Sequence, residues 1–303
     1  MSYYPHPYPG QHGMPSGPVG LGPTGYFDQP RRHPWEIGLL VVVIVSSSLL
    51  YLIAFAVVLT RDASAIWLSI LAAPLVLYLL RGLNYGKQRV SGVQMSPTQF
   101  PEGYRMVAEA AHRFGLAEVP DAYVVLGNGV INAFASGHGF RRYVVVNSDL
   151  FEIGGQARDP DALAFVIGHE VGHIAAGHAS YWRQLSQLAM QLPLLGPSLS
   201  RSMEYTADNY GYAFRPQGAH TVIGVLSAGK YLVRSVDFDS MANRAGSEAG
   251  FFVWLANMMS SHPVNTWRAA ALRNRWVAGS LFFRPQSSAP SAPATWPTGG
   301  RLR

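Results

Sequence analysis

The sequence predicts an α+β fold: a mostly helical domain with a small β-sheet, preceded by a transmembrane helical hairpin. Two long apolar stretches without charge lie near the start of the chain. Short runs rich in Val and Tyr follow within residues 122–150, as expected of strands, and helix-like segments make up most of the rest. We therefore expect two transmembrane helices within residues 35–83, a domain at 90–283, and disordered tails at 1–34 and 284–303.

The composition excludes several classes of function. The chain has 303 residues, is 49% hydrophobic, and carries a net charge of +6 that comes almost entirely from scattered arginines. No basic stripe interleaved with aromatics is present, so we expect no nucleic-acid partner. The chain contains no cysteine, which rules out disulfides, thiolate metal ligands and a cysteine nucleophile.

Both predicted tails have compositions that disfavour a packed core. Residues 1–34 are dominated by Pro, Gly and Tyr, and residues 284–303 by Pro, Ser and Ala. No apolar periodicity persists in either segment, and such segments cannot bury enough apolar surface to order the chain.

The first apolar stretch, Ile37 to Leu59, is long enough to span a bilayer. Its 23 uncharged residues would extend about 34 Å as a helix. A cleaved signal peptide is the alternative, but the apolar run is too long and some 36 residues precede it. The second stretch, Ala65 to Leu80, is marginal for a span at 16 residues, with Trp67 and Tyr78 at interfacial positions. A buried or re-entrant helix is the alternative there.

The charges flanking the hairpin predict its orientation. Basic residues lie outside both apolar stretches, whereas the turn between them has one arginine offset by one aspartate. The positive-inside rule then places both ends of the chain in the cytoplasm, in a multi-pass protein of the plasma membrane. The residues concerned are Arg31, Arg32, Arg81, Lys87 and Arg89 at the flanks, and Arg61 and Asp62 in the turn.

The domain begins with an alternation of helix and strands. Thr98 to Gly115 has apolar residues at helical spacing, and Ala122 to Leu126 is strand-like. A glycine-rich turn then leads into the short strand of INAFASG at 131–137, and RRYVVVNSDL at 141–150 predicts a further strand.

The motif His169-Glu170-Val171-Gly172-His173 predicts a metal site. On a helix, two histidines four residues apart project from one face and can bind a single Zn²⁺ ion. Glu170 then points beside the ion, where it can accept a proton from a metal-bound water. Asp161 is a candidate cap for this helix, whose apolar run indicates burial. The alternative is a core helix with two incidental histidines.

The stretch RSMEYTADNYG supplies the candidate third ligand. Glu204 would complete a His/His/Glu site with one position open, and Asp208, one helical turn later, would orient a ligating imidazole. The rival ligand His178 comes five residues after His173, which on a continuous helix lies about 140° from the ligand face. We interpret it as structural or as a residue behind the ligands.

The segments around and after Glu204 are predicted from their helix breakers and apolar runs. Pro193, Gly196 and Pro197 should end the preceding segment before the Glu204 helix begins. The apolar LAMQLPLLGPSL at 188–199 is too short and broken to span a membrane, and we expect a packed loop, with a mobile flap as the alternative. Residues 219–234 and 247–260 are expected to form helices.

Four segments in order resemble one family, and together they cover roughly residues 90–280. The chain resembles the HtpX-like and CAAX-prenyl-endopeptidase family of membrane-anchored zinc metallopeptidases, of the gluzincin type. The segments are INAFASG at 131–137, HEVGH at 169–173, RSMEYTAD at 201–208 and SHPVNTWR at 261–268. The resemblance implies a zincin-like metalloprotease domain.

The resemblance also implies a role for each matching residue. It makes His169, His173 and Glu204 the zinc ligands and Glu170 the general base. It places Asn132 on the edge strand beside the cleft, His262 near the scissile carbonyl as a transition-state stabiliser, and Arg268 in the supporting structure. For His262 a competing explanation stays open: Pro263 suits the first position of a helix, so His262 can simply mark a helix start.

The chain departs from the family in one respect. HtpX-like members carry a second transmembrane pair between HExxH and the glutamate ligand, but here only 30 residues separate His173 from Glu204. The resemblance does not favour a CAAX substrate, because the prenyl-peptide branch has many more spans. Membrane-protein quality control is the role that fits better.

Two functions follow from these patterns. The first is a membrane-anchored zinc endopeptidase with one Zn²⁺ per chain, which cleaves unfolded or membrane polypeptides and has a lipid bilayer as its other partner. The second is a non-catalytic membrane-anchored scaffold or binding module with a structural metal site. An open metal position next to Glu170 favours the enzyme, because structural zinc sites are normally closed by four protein ligands.

Overall fold

The computed structural model describes residues 30–60, 64–152, 159–180, 183 and 186–286. Most of the two predicted tails, and the Arg61-Asp62 turn of the predicted hairpin, lie outside these residues. The last few residues of the predicted N-terminal tail are described, and they lie against the domain: the amide of His33 donates to Oγ1 of Thr206 at 2.9 Å.

The predicted α+β class is confirmed. The described residues form a mostly helical chain with a small mixed sheet and two apolar N-terminal helices that could span a membrane. In chain order the elements are α1 Glu36–Thr60, α2 Ala65–Ser91, β1 Val93–Gln94, α3 Pro101–Arg113, β2 Asp121–Val125, β3 Ala133–His138, β4 Arg141–Asn147, α4 Ser148–Phe151, α5 Pro160–Ala175, α6 Gln187–Met190, α7 Leu195–Phe214, α8 Ala219–Leu232, α9 Phe238–Ser247, α10 Phe251–Met259 and α11 Asn265–Arg273.

The sheet has the strand order β1-β2-β4-β3, so β3 lies at an edge. Strand β2 pairs parallel with β4, and the other two pairs are antiparallel. One face, including Val144 and Val146, packs in the main core with α3 and α5. The other face, with Tyr143 and Val145, packs against Tyr85 of α2. Burial on both faces explains why β4 reads as a continuous apolar run instead of an alternating one.

Helix α2 is longer than the predicted 16-residue segment. It runs unbroken for 27 residues through Pro74, and its second half packs on the sheet. There the hydroxyl of Tyr85 donates to Asp121 at 2.6 Å, and Nε of Arg81 donates to the carbonyl of Gly137 at 2.9 Å. The apolar first half and the domain-bound second half are therefore one helix.

The segment at 188–199 is packed, as expected, but only residues 191–194 form a loop. It forms α6 and the start of α7, and Ala189 and Leu199 pack against Leu40 and Val43 of α1. Helix α7 begins at Leu195, so Pro193 precedes it as predicted, but the prediction was wrong for Gly196 and Pro197, which lie within the helix. Pro197 falls in the first turn, where backbone amides have no partner within the helix and a proline is tolerated.

Two details of the other helices differ from the predictions. Asp159, not Asp161, caps α5: its carboxylate accepts from the amides of Asp161 and Ala162, both at 3.1 Å. The predicted helices at 219–234 and 247–260 correspond to α8 and α10. Helix α9 was missed because it is short and has little apolar character, and α11 was considered only as a helix that could start at Pro263.

Candidate metal centre

The contact between α5 and α7 brings the HExxH motif and Glu204 together. Two glycines of α5 allow this close approach: a Cβ atom at Gly172 would lie 2.4 Å from Tyr210 Cβ, and one at Gly168 would lie 2.9 Å from Phe214. A larger residue at either position would push the helices apart. The glycine inside the HEVGH motif therefore has a packing role that sets the distance between the two sides of the site.

Three donor groups lie close together, at separations near those between the ligands of a tetrahedral ion. The Nε2 atoms of His169 and His173 are 3.1 Å apart. The first lies 3.4 Å from Oε2 of Glu204, and the second lies 3.4 Å from Oε1 of the same carboxylate. Zinc bonds of about 2.0–2.1 Å at tetrahedral angles place ligand atoms roughly 3.3–3.4 Å apart. These are also the residues that together can hold a metal ion among those described. The donor set fits a zinc ion.

The charges of these groups favour a cation. Burial lowers the pKa of His169, but its hydrogen bonds to Asp208 and Glu204 outweigh burial and raise the pKa to about 10. Burial opposes ionisation of Glu204 as well, yet the two imidazoles lower its pKa well below the usual range. A buried carboxylate that stays ionised beside two imidazoles favours the binding of a cation between them. The cation would take the place of the proton that His169 otherwise holds.

Asp208 and Arg268 lie behind His169. An oxygen of Asp208 is 3.0 Å from Nδ1 of His169, on the side of the ring away from Glu204. Arg268 binds Asp208 through two hydrogen bonds, from Nε at 2.7 Å and from Nη2 at 2.5 Å. Burial would raise the pKa of Asp208, but Arg268 and His169 outweigh burial and lower it. Asp208 can therefore accept from the ring of His169, which leaves Nε2 to bind a metal.

His178 contacts the other histidine. Helix α5 ends at Ala175, and Gly177 takes a positive φ of 78° that turns the chain back. The Nδ1 atoms of His178 and His173 consequently lie 2.7 Å apart. His178 is not among the three donor groups, as predicted. Its contact with His173 was not predicted, because the angle of about 140° assumed a continuous helix and the helix stops two residues after His173.

Glu170, Asn132 and His262 surround a cavity beside the donor groups. The cavity has a volume of about 100 Å³, and apolar side chains such as Phe165 and Val222 form much of its wall. Glu170 is buried and lines this cavity. Asn132 lies one residue before β3, not within the edge strand as predicted, and it still lines the cavity.

His262 lies at the exposed rim of this cavity. Its side chain is 65% exposed, and its Nε2 is 3.6 Å from an oxygen of Glu204. Helix α11 begins only at Asn265, so Pro263 is not in the first helical position. The competing explanation of His262 as a marker of the helix start is therefore wrong.

Glu36 is a residue near the centre that the sequence patterns did not reveal. This glutamate is fully buried at the first position of α1, 3.1 Å from Nε2 of His178. The sequence feature that could have revealed Glu36 is an acidic residue directly before an apolar span that is otherwise flanked by arginines.

Comparison with protein families identifies the region that holds the site. The family model described as peptidase family M48 matches residues 97–191 and 180–276, which together span more than half of the chain. The matched region contains the site residues from Asn132 to Arg268, whereas Glu36 lies outside it. No match was found among curated proteins.

Proposed function

Because the chain belongs to peptidase family M48 and is therefore a metallopeptidase, we propose that it is a membrane-anchored, zinc-dependent endopeptidase. Its substrates are unfolded or membrane polypeptides, as in protein quality control. The observation that carries this proposal is the convergence of His169, His173 and Glu204 next to the buried Glu170.

Each residue of the site has a separate role in the proposed reaction. His169, His173 and Glu204 hold one zinc ion, which would polarise the scissile carbonyl and lower the pKa of a water molecule towards neutrality. Glu170 takes the proton of the attacking water on its carboxylate and passes it to the leaving amine. His262 approaches the scissile carbonyl from the rim and stabilises the charge that develops there.

The alternative, a non-catalytic scaffold with a structural metal, accounts for fewer features. Only three protein donors converge among the described residues, whereas structural zinc sites are normally closed by four. A structural site also gives no reason for a cavity beside the donors, or for a carboxylate that lines it and is not itself a donor.

The position of β3 supports an extended polypeptide as the substrate. This strand lies at the edge of the sheet, and the residues just before it line the cavity. A peptide can add to such an edge through main-chain hydrogen bonds, which read little sequence. The cavity walls then favour an apolar side chain near the cleaved bond.

Proteolysis with and without a chelator tests the proposed function. Full-length protein in detergent should cleave an unfolded polypeptide, lose this activity with a zinc chelator, and regain it when zinc is restored. A folded, zinc-loaded protein that cleaves none of a panel of unfolded chains would favour the scaffold.

The topology prediction concerns the two N-terminal helices, which are long and apolar enough to cross a membrane. The flanking charges place both ends of the chain in the cytoplasm. Reporters fused to either terminus should therefore read as cytoplasmic, and one inserted in the Arg61-Asp62 turn as external. An external C-terminal reporter would contradict the cytoplasmic placement of the domain.

Asp208→Asn should weaken zinc binding without abolishing it. The amide keeps the shape but loses the charge that pairs with Arg268 and orients His169. Changes behind a histidine ligand typically cost about 10- to 100-fold in metal affinity. The zinc dissociation constant, measured by competition with a chromophoric chelator, checks this. Unchanged zinc affinity would show that Asp208 does not support the metal site.

A further inference from the structure

The two histidines of the proposed metal site are supported in parallel ways from different parts of the chain. Asp208 of α7 contacts Nδ1 of His169 directly. Nδ1 of His173 instead faces Nδ1 of His178, whose Nε2 faces a carboxylate oxygen of Glu36 at 3.1 Å. Each imidazole thus has a carboxylate behind it, and for His173 that carboxylate belongs to the first turn of α1.

This arrangement has one consistent set of protons. If Nε2 of His173 binds the metal, its Nδ1 carries a proton and donates it to Nδ1 of His178. His178 is then protonated on Nε2, and it donates to Glu36. Every donor in the series has an acceptor, and each ring keeps one orientation.

Glu36 is buried and is held in place by contacts with the domain. Its side chain is fully buried. One oxygen is 2.5 Å from Nη1 of Arg32, and the other accepts from the hydroxyl of Thr206 on α7. Arg32 also donates to the carbonyl of Ala176, in the turn between His173 and His178. A buried carboxylate needs such partners, and here they fix its position relative to His178.

We infer that Glu36 is a positioning residue for the metal centre and acts on His173 through His178. The first turn of the proposed membrane anchor is then part of the peptidase site, although it lies outside the region that the family model matches. Loss of this support should weaken metal binding even when all three ligands and Glu170 are unchanged. The inference rests on the proposed metal function.

The test measures the zinc dissociation constant of the full-length protein in detergent. His178→Leu removes both hydrogen bonds and should raise the constant about 10- to 100-fold. His178→Gln offers an amide oxygen to His173 and an amide N–H to Glu36, so it should recover most of this loss. Equal losses in the two variants would indicate a packing role for the ring and overturn the inference, as would unchanged affinity in His178→Leu.

A double-mutant cycle separates positioning from simple docking of α1. Glu36→Gln should raise the constant by about tenfold, the lower end of the same range, because it acts through one more hydrogen bond. In the His178→Leu background it should add nothing, since the connection is already broken. Additive effects would mean that Glu36 acts by another route. Such a result would contradict the inference.

Two controls complete the design. Ser47→Ala removes two hydrogen bonds that dock α1, to the carbonyl of Ser186 and from the amide of Ala189, but keeps Glu36 and both hydrogen bonds of His178. This variant should therefore bind zinc nearly as wild type does. A loss equal to that of Glu36→Gln would indicate that docking alone matters. If the wild-type protein binds no zinc, the proposed function is wrong. If it binds zinc and both His178→Leu and Glu36→Gln have the same dissociation constant as wild type, only this inference is wrong.

Discussion

Glu170→Gln is expected to lower kcat/KM for an unfolded polypeptide by about 10²- to 10⁴-fold, while the protein still holds about one zinc per chain. The amide has nearly the same shape as the carboxylate but cannot take a proton from the attacking water. Because Glu170 is not among the three converging donor groups, the ligand set is unchanged. Steady-state proteolysis and zinc content are measured on the same preparation.

The comparison with Asp208→Asn makes this prediction sharper. Excess zinc should restore activity in Asp208→Asn, whose defect is weak binding, but not in Glu170→Gln, whose defect is in proton transfer. Glu118→Gln, at an exposed position far along the sequence from the motif, controls for the loss of one negative charge. Full activity in zinc-loaded Glu170→Gln would show that the proposed mechanism is wrong.

The parts of the site that could be predicted are those set by short-range periodicity. A four-residue spacing places His169 and His173 on one helix face, and the same spacing places Glu204 and Asp208 on another. The structure brings these two faces together, and Asp208 contacts His169 as the sequence suggested. Period and residue type suffice here because each pair lies within one regular helix.

The arrangement around His173 could not be predicted because it depends on where helices end. Helix α5 stops at Ala175, and the positive φ of Gly177 then brings His178 back to His173. Glu36 is 142 residues from His178 in sequence, and their contact requires α1 to lie along α7. No local pattern contains that packing.

The predicted boundaries of helices α2 and α7 were wrong for related reasons. Pro197 was expected to precede the Glu204 helix, but the first turn of a helix tolerates proline, so the breaker signal did not fix the start. The second apolar stretch was cut at Arg81, although α2 continues to Ser91 because its polar second half packs on the sheet. Hydropathy reports where lipid can contact a helix and not where the helix ends.

Glu204→Gln should have the largest effect on the metal itself, with zinc affinity falling by more than the roughly 100-fold limit typical of residues behind the ligands. Glu204 is the one carboxylate among the three donor groups and lies on α7, opposite both histidines of α5. The neutral amide is a poor zinc ligand, and it leaves the charge of a buried ion uncompensated. Zinc content after dialysis, and the dissociation constant by chelator competition, measure this loss.

The control for this variant must separate loss of a ligand from loss of folding. Glu204 interacts with His169 and His173, so its replacement also removes contacts between α5 and α7. Wild-type protein stripped of zinc provides the comparison: if Glu204→Gln has the same circular dichroism spectrum and urea midpoint as the stripped wild type, the fold has survived. A folded Glu204→Gln protein that keeps full zinc occupancy at limiting zinc would exclude Glu204 as a ligand. The third donor would then have to come from another residue at the cavity, such as His262, whose Nε2 lies 3.6 Å from an oxygen of Glu204.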